Sequence, residues 1–454
     1  MVSELWLSRL GGQLWAAAAE DGRIVEIHNE WPQDDAATIG SIYLARVQRV
    51  VPQLRAAFVL LGRGCEGYLE GDDLPGDMDA AVKLSRLGDG QPILVQVRRE
   101  AHAGKRARVT AKLELVGSYM TVRPAGSGVA VSRRIRSDTQ RRRLADWARE
   151  RGGRILLRTA AEDVPETTLQ DELDALTSRV ERLVRASRKA VAPSRMEPGS
   201  GVVERLIRDY SGRAIERVVV ESERDFALAT ETAGKNTRVQ RHEGPGRLIR
   251  TAGIWSAVQQ ALNPKVQLAS GATLAIERTE ALWAIDVNAA AVRNAGGDGV
   301  VSRSINCEAA DRIAREIRLR DIAGTILIDF LTHADDADRE LVSERLHQAL
   351  RIDRRYLRVS GWTSLGLCEL ARRRLGPGLL ERLGPVGAPT VWARSAAILD
   401  AIAAGPAPPR GHRVRVDERT AGALRASIDS SERPIDLEIE IEEGIPGGYR
   451  IEGR

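Results

Sequence analysis

Short apolar runs separated by glycine, proline and acidic residues fill the first quarter of the chain. Residues 13–20 (QLWAAAAE) and 22–30 (GRIVEIHNE) are predicted to be two strands joined by a turn at Asp21-Gly22. From Ile39 to about Leu115 more strands follow at close spacing, with glycine and proline between them. Closely spaced short strands of this kind predict a small closed barrel of the oligonucleotide-binding (OB) type.

The middle of the chain mixes strands and helices. A helix is predicted from about Glu166 to Lys189, because leucine and valine recur there on one stripe. Residues 192–201 (APSRMEPGSG) are rich in proline, glycine and serine and are predicted to be a linker. A further α/β stretch is predicted from Val202 to about Pro264.

Residues 265–375 carry the most regular pattern. Two strands are predicted to meet at a Thr279-Glu280 turn, and a glycine-rich loop follows over 288–299. The next helix is predicted to end at Gly324, which suits a C-terminal cap, and a strand and a second helix follow. Alternating strands and helices predict a layered domain, so the predicted class is α/β (α+β) with several domains. After residues 405–410 a small tail ends in an edge-like strand.

Length and composition narrow the classes of protein. A chain of 454 residues predicts about two to four domains, and an apolar fraction of 43% excludes wholesale disorder. No apolar run approaches the roughly 20 residues of a membrane span, and the N-terminus lacks a signal-peptide pattern. We therefore expect a cytoplasmic protein with no membrane partner. Cys65, Cys307 and Cys368 are far apart and form no CxxC, so no structural zinc is expected.

The basic residues are nearly all arginine. Six of the 68 basic residues are lysine, and the net charge is a modest +5. Arginine binds phosphate through two N–H groups at once, but a GC-biased gene produces the same excess. Composition alone therefore does not indicate a nucleic-acid partner, and the positions of the side chains must decide.

Two aspartates stand at the ends of two apolar strands, Asp286 in ALWAIDVN and Asp329 in GTILIDFL. A carboxylate in such a place usually has a partner, and a divalent cation bound to phosphate is one candidate. Magnesium takes one or two carboxylates from protein and leaves its other positions to water and phosphate. Asn288 lies two residues after Asp286 and points to the same side of an extended strand. Strand-end capping, or pairing with arginines of the following helix, explains the aspartates equally well.

Four arginines of that helix are expected to form a solvated cationic face: Arg312, Arg315, Arg318 and Arg320. In the predicted barrel, aromatic and cationic side chains suit single-stranded nucleic acid. The candidates there are Phe58, Tyr68, Lys105, Arg106 and Arg108. Taken alone, the apolar run AAFVLL favours a core position for Phe58.

An ordered series of motifs resembles the bacterial ribonuclease E/G family of endoribonucleases. Residues 40–70 and 104–119 resemble the start and the exit of that family's RNA-binding barrel, and residues 154–160 (RILLRTA) resemble its Arg-Thr-Ala motif. Residues 270–290 and 305–330 resemble its catalytic core. The resemblance covers about residues 1 to 376.

The resemblance implies roles for individual residues. Asp286 and Asp329 correspond to magnesium ligands, with Mn²⁺ as a substitute ion, and Asn288 corresponds to an assisting asparagine. Two further groups align with a 5′-monophosphate sensor and with barrel residues that grip single-stranded RNA: Gly117, Thr121, Arg158 and Thr159, then Phe58, Tyr68 and Lys105.

The resemblance also implies a composite fold, in which an RNase H-like subdomain is split by the barrel and the sensor and a DNase I-like catalytic domain follows. The expected boundaries are 1–35 and 198–262 for the RNase H-like parts, 36–117 for the OB-fold barrel, 118–197 for the sensor, 263–382 for the catalytic domain and 383–454 for a linker and small C-terminal region.

Three departures from the family pattern qualify these expectations. The family's zinc-link CPxC motif is missing after the catalytic segment, so a homodimer is expected, if at all, without a zinc link. Thr332 replaces an aspartate that often follows the second metal ligand, and Thr121 replaces a more usual aliphatic residue. The hypothesis is a Mg²⁺-dependent endoribonuclease acting on single-stranded RNA in RNA processing or decay. The alternatives are a non-catalytic RNA-binding protein and, less favoured, a DNA-processing nuclease.

Overall fold

A computed structural model describes most of the chain: residues 2–32, 37–62, 64–102, 104–126, 128–152, 154–210, 215–233, 237–244, 246–289, 299–333, 335–405, 411–445 and 448–453. The glycine-rich loop predicted after Asn288 and the predicted boundary at 405–410 lie almost entirely outside these residues. The chain divides into two compact units. Unit 1 comprises Met1–Gln33, Ile215–Thr230 and Thr237–Arg454, and unit 2 comprises Asp34–Ala214 and Glu231–Asn236.

The chain begins with three antiparallel strands, β1 (Glu4–Leu10), β2 (Gln13–Glu20) and β3 (Arg23–Glu30). The predicted turn between β2 and β3 is confirmed, and Asp21 and Gly22 both have positive φ angles there, 48° and 72°. Every side chain of β2 except that of Glu20 is buried, so both faces of the sheet are covered along this strand.

Unit 2 starts with the predicted barrel, which is confirmed. Its elements are β4 (Ile42–Val51), β5 (Ala56–Gly62), β6 (Cys65–Glu70), α1 (Ala80–Leu84), β7 (Pro92–Arg99) and β8 (Ala107–Thr110). The strands follow the order β4-β5-β6-β8-β7, and pairing between β4 and β7 closes the barrel. Alternate residues such as Val47, Val59 and Val95 fill its interior.

The second half of unit 2 is a small sheet covered by helices. Its elements are β9 (Leu115–Val116), β10 (Met120–Val122), β11 (Ala130–Val131), α2 (Asp138–Glu150), β12 (Ile155–Leu157), α3 (Glu166–Ser187), β13 (Ser194–Glu197) and α4 (Val202–Tyr210). The helix predicted from Glu166 is confirmed. The predicted linker at 192–201 is wrong in part, because β13 lies inside it and pairs with β4.

The chain then returns to the first sheet. The elements are β14 (Arg217–Val220), α5 (Glu223–Thr232), β15 (Arg238–Arg241), α6 (Leu248–Thr251) and α7 (Ile254–Leu262). Strand β14 pairs in parallel with β1, and the sheet has the order β15-β14-β1-β2-β3. One sheet is therefore assembled from two segments of sequence that the barrel and the helix-covered sheet separate.

The most regular segment forms a mixed sheet backed by two helices. Its elements are β16 (Lys265–Gln267), β17 (Thr273–Arg278), β18 (Leu282–Asn288), α8 (Gly299–Leu319), β19 (Gly324–Asp329), α9 (Asp336–Leu350), β20 (Leu357–Trp362) and β21 (Cys368–Arg372). The order is β16-β17-β18-β19-β21-β20. The prediction that Gly324 caps the helix is wrong, because α8 ends at Leu319 and Gly324, with a φ of 101°, opens β19.

The last part of the chain packs against the first. It contains α10 (Leu379–Leu383), α11 (Val391–Ala404), β22 (His412–Val416), α12 (Glu418–Asp429), β23 (Leu437–Ile441) and β24 (Tyr449–Gly453). The sheet order β23-β22-β24 confirms β23 as an edge strand. Val414 and Leu424 share one buried cluster with Leu10 and Trp15, so both ends of the chain contribute to one core. No helix within the described ranges has both the length and the apolar character needed to cross a bilayer.

Candidate active site and RNA-binding surfaces

Asp286 and Asp329 lie side by side. Strands β18 and β19 are parallel neighbours, and the register pairs Asp286 directly with Asp329. Residues paired in this way point to the same face of a sheet. Two strands that are separate in sequence therefore bring the two carboxylates together.

The face that carries the two aspartates is exposed. Along β18, Trp283, Ile285 and Val287 are buried against α8 and α9, whereas Asp286 and Asn288 are exposed on the opposite face. Asn288 is therefore on the same face as the carboxylates, as predicted from its spacing. The alternation explains why a strand with an apolar core can present carboxylates to a ligand.

The electrostatics of the pair favour a cation. Partial burial raises the pKa of Asp286, and the negative charges of Asp329 and Glu277 raise it further. Glu277 is exposed on β17, where it pairs with Ala284, the residue two positions before Asp286 on the same face. Because like charges at short range oppose joint ionisation, a bound cation would relieve the repulsion.

These residues fit a magnesium ion. No cluster of three or more His, Cys, Asp or Glu side chains suited to a metal occurs within the described part of the chain. Magnesium does not need such a cluster, because it is held by one or two carboxylates and keeps water or phosphate at its other positions. Two exposed aspartates with an amide beside them are hard oxygen donors of this kind.

Sequence reasoning missed Asn306, which fixes the chain just after Asp329. Asn306 is completely buried in α8. Its side-chain amide donates to the carbonyl oxygen of Leu331 (2.9 Å) and accepts from the Leu331 backbone N–H (3.0 Å). The Asn306 side chain thus makes the two backbone hydrogen bonds with Leu331, two positions after Asp329, that a neighbouring strand would otherwise make. An asparagine in a helical pattern gives no sequence signal for such a distant contact.

The prediction that the arginines of α8 form a solvated cationic face is wrong for two of the four. Arg318 and Arg320 are 6% and 5% exposed. Arg318 contacts Glu20 (3.1 Å) and Glu26 (3.4 Å), and Arg320 contacts Glu316 (2.6 Å). Helix α8 covers the buried face of the sheet, whereas the two aspartates lie on the exposed face. Pairing with the arginines of α8 therefore does not explain the aspartates.

On the barrel, Phe58 and Tyr68 lie on the outer surface. Val59 and Leu61 of β5 point into the barrel core, so Phe58, between the inward-facing Ala57 and Val59, points outward and the core interpretation is wrong. Phe58 pairs with Tyr68 of β6, and the two rings meet edge to face at 5.8 Å.

Arginines surround this aromatic pair. The guanidinium groups of Arg106 and Arg49 lie 4.9 and 5.5 Å from the centre of the Phe58 ring. Arg106 also forms an ion pair with Glu66, and Arg108, which is in register with Tyr68, pairs with Glu70. Lys105 is exposed next to this surface, and its backbone pairs with that of His102 in an isolated β-bridge. The patch combines planar groups with cations, as binding of single-stranded nucleic acid requires.

The predicted sensor residues come together around the end of the small sheet. Arg158 follows β12, and its Nη1 donates to the carbonyl oxygens of Gly117 (2.8 Å) and Ser118 (3.1 Å). Its Nη2 donates to the carbonyl oxygen of Arg208 (3.0 Å) at the end of α4. Three of the five guanidinium donors are thus used to fix its position, and Nη2 also lies in a longer ion pair with Asp209 (3.8 Å).

The two threonines predicted for the sensor differ in their surroundings. Thr159 follows Arg158 directly, and its hydroxyl forms a hydrogen bond with the Ser132 hydroxyl (2.9 Å). Thr121 lies within β10, is 6% exposed, and pairs with Val116 and Leu156 of the neighbouring strands. The backbone of Thr121, more than its side chain, is therefore part of the sensor region.

Fold and site together define a multidomain α/β protein that joins an OB-like barrel to a sheet with an exposed pair of aspartates. Residues 114–375 match the Ribonuclease E/G family over more than half of the chain. The chain belongs to this family.

Similar curated proteins are ribonucleases of the same family. Ribonuclease G of Salmonella typhimurium is 30% identical over 395 residues, which cover 82% of this chain and 80% of the relative. Ribonuclease E of Nostoc sp. is 34% identical over 362 residues, which cover 76% of this chain and 52% of the relative. Ribonuclease E of Haemophilus influenzae is 32% identical over 386 residues, 81% of this chain and 41% of the relative. The chain thus matches about half or less of the length of these ribonuclease E relatives.

Proposed function

We propose that this protein is an endoribonuclease that hydrolyses single-stranded RNA in RNA processing or decay. The observation that carries the proposal is the direct pairing of Asp286 with Asp329 on an exposed sheet face. Membership in the Ribonuclease E/G family supports the same reaction. In this proposal the split first sheet belongs to an RNase H-like subdomain, and the sheet with the two aspartates belongs to a DNase I-like domain.

The two carboxylates would hold Mg²⁺, and Mn²⁺ can take the same oxygen ligands. When bound, the ion supplies a water activated near neutral pH and positive charge beside the phosphate. Asp286 and Asp329 would hold the ion on the exposed face, and the amide of Asn288 would orient the attacking water or the scissile phosphate. The products implied by the family resemblance are a 5′-phosphate and a 3′-hydroxyl.

The barrel patch would bind the single strand. Phe58 and Tyr68 offer ring surfaces for bases, and Lys105 offers charge for the phosphates. Binding of bases by rings and of phosphates by a lysine fits a nuclease that cuts unpaired RNA, because bases in a duplex are stacked and cannot reach a protein ring.

Cleavage of a fluorescent single-stranded RNA oligonucleotide, with and without Mg²⁺, tests the reaction. We expect wild-type cleavage to require Mg²⁺ and the Asp286→Asn variant to lose at least about 100-fold in rate, because one ligand of the ion loses its charge. Glu340→Gln is the matched control, since Glu340 is exposed on α9 behind the sheet. Cleavage that ignores both the metal and Asp286 would overturn the mechanism. RNA binding without cleavage by the wild-type protein would instead indicate a non-catalytic RNA-binding protein.

We further propose that the protein senses a 5′-monophosphate through the Arg158 region. Arg158 would turn guanidinium N–H groups from the long contact with Asp209 to the terminal phosphate, and the Thr159 hydroxyl would add a hydrogen bond. In the same assay, a substrate with a 5′-monophosphate should be cut faster than one with a 5′-hydroxyl. Arg158→Lys should remove the difference, because lysine lacks the planar fork. Arg182→Lys, an exposed site on α3, is the control, and equal rates for both substrates in the wild type would refute the sensor.

A further inference from the structure

A partly buried hydrogen-bond cluster between α3 and the loop before β10 points to one more residue of the proposed sensor. The Glu172 carboxylate accepts hydrogen bonds from three consecutive backbone N–H groups, those of Ser118 (2.6 Å), Tyr119 (2.9 Å) and Met120 (3.0 Å). Three such bonds from one loop to one ionised carboxylate form a rigid charge-assisted contact. The loop between β9 and β10 is therefore fixed by Glu172.

Gly117 allows the carboxylate to approach this loop. A Cβ atom at position 117 would lie 2.6 Å from both Cδ and Oε1 of Glu172, and the three nearest atoms all belong to that carboxylate. A side chain at position 117 would thus push Glu172 away from the N–H groups. This contact gives Gly117 a specific physical role that the sequence alone did not show.

The opposite side of the same loop holds Arg158. The carbonyl oxygens of Gly117 and Ser118 accept from its guanidinium, and the carbonyl oxygen of Tyr119 accepts from its backbone N–H (2.8 Å). The loop amides therefore point at an anion and the loop carbonyls at a cation. Peptide dipoles aligned in this way reinforce each other, so the position of the guanidinium depends on the carboxylate.

We propose that Glu172 is a positioning residue for recognition of the RNA 5′-monophosphate, acting on Arg158 through the loop of residues 117–120. This inference rests on the proposed sensor. Glu172 touches no substrate, and its effect is to keep the Arg158 fork in the geometry that a terminal phosphate requires. A shift of about 1 Å in such a group can cost about 100-fold in rate.

The test measures kcat/KM for two RNA oligonucleotides that differ only in a 5′-monophosphate or a 5′-hydroxyl. For Glu172→Ala we expect the ratio of the two values to fall about 10- to 100-fold, with the 5′-hydroxyl value within about twofold of wild type. The ratio for Glu172→Gln should lie between those of the wild type and Glu172→Ala, because the glutamine amide keeps one acceptor oxygen. Glu181→Gln, an exposed glutamate on the same helix, should match the wild type.

Gly117→Ala supplies an independent check. Alone, it should lower the ratio, because the new Cβ displaces the carboxylate. Combined with Glu172→Ala, it should add little, because the group that it displaces is gone. Fully additive effects of the two changes would overturn the coupling.

The outcomes separate the inference from the proposal beneath it. If Arg158→Lys abolishes the ratio and Glu172→Ala keeps it, Glu172 is not a positioning residue but the sensor stands. If Glu172→Ala lowers kcat/KM equally for both substrates and also lowers the melting temperature, the role of Glu172 is in folding and the inference is wrong. If Arg158→Lys leaves the ratio unchanged, the sensor itself is refuted.

Discussion

Replacing Arg372 by methionine removes a cation from a buried cluster of ion pairs behind the candidate active site. Arg372 ends β21 and is in register with Gly324, the first residue of the strand that carries Asp329. Its guanidinium donates to Asp353 (2.7 Å), to Asp321 (2.7 Å) and to the carbonyl oxygen of Ile322 (2.9 Å). The Arg372 and Asp353 side chains are 4% and 1% exposed.

The expected loss follows from what each partner keeps. Asp321 retains Arg355 at 2.7 Å, so it stays paired. Asp353 keeps a hydrogen bond from the Arg355 backbone N–H (2.9 Å) but loses the buried guanidinium of Arg372, and removing one member of a buried pair costs about 3–5 kcal/mol. We therefore expect the free energy of unfolding of Arg372→Met to fall by about 3–5 kcal/mol.

Denaturant unfolding, followed by circular dichroism and tryptophan fluorescence, measures this loss. The matched control is Arg345→Met, because Arg345 forms three close contacts with Asp311 (2.6 to 3.0 Å) but both side chains are about half exposed. An exposed pair contributes about 0–1 kcal/mol. Equal losses for the two variants would show that burial does not set the value of these pairs.

The same cluster predicts a pH dependence. Burial alone would raise the pKa of Asp321, but the charges of Arg355 and Arg372 hold it well below its ordinary value of 3.8. A carboxyl with a lowered folded-state pKa stabilises the protein above its unfolded pKa and loses that contribution as the pH falls. The part of the stability difference between wild type and Arg372→Met that comes from Asp321 should therefore be complete above about pH 4 and narrow below it.

Three further predictions concern the candidate sites. Glu277→Gln should lower the raised pKa of Asp286, so the acid limb of Mn²⁺ binding, measured by calorimetry, should move to lower pH; an unchanged limb contradicts the coupling. Asn306→Leu should reduce kcat for RNA cleavage while RNA affinity stays constant, and parallel losses would refute a specific effect on the strand end. Phe58→Ala should weaken binding of single-stranded RNA by about 1–3 kcal/mol in anisotropy titrations, with an unchanged salt slope, whereas Lys105→Met should reduce that slope.

The sequence predicted the parts of the fold that repeat locally. The hairpin at Asp21-Gly22, the barrel and the pair formed by Asp286 and Asp329 all follow from short apolar strands with clear ends. In the barrel and in the strands that carry the two aspartates, the pattern along the chain is set by one buried face, which a period of two residues reveals.

Contacts between distant segments were not predictable. Arg318 at the end of α8 looked solvated, because its partner Glu26 lies on β3 almost 300 residues earlier. The segment at 192–201 has the composition of a loop, and only its pairing with β4 makes part of it a strand. Asn306 and Glu172 gave no signal for the same reason, since their partners are backbone groups that any sequence provides.

The shared core of the two chain ends has a consequence for synthesis on the ribosome. Residues 34–214, the main part of unit 2, leave the ribosome as one continuous segment, whereas Trp15 of β2 belongs to a buried cluster that includes residues beyond 390. Gln13 is also completely buried and donates to the hydroxyls of Ser395 and Ser427. Strand β2 must therefore wait for α11 and α12, which are translated much later, and its exposed apolar surface in the nascent chain is a point at which chaperones would act.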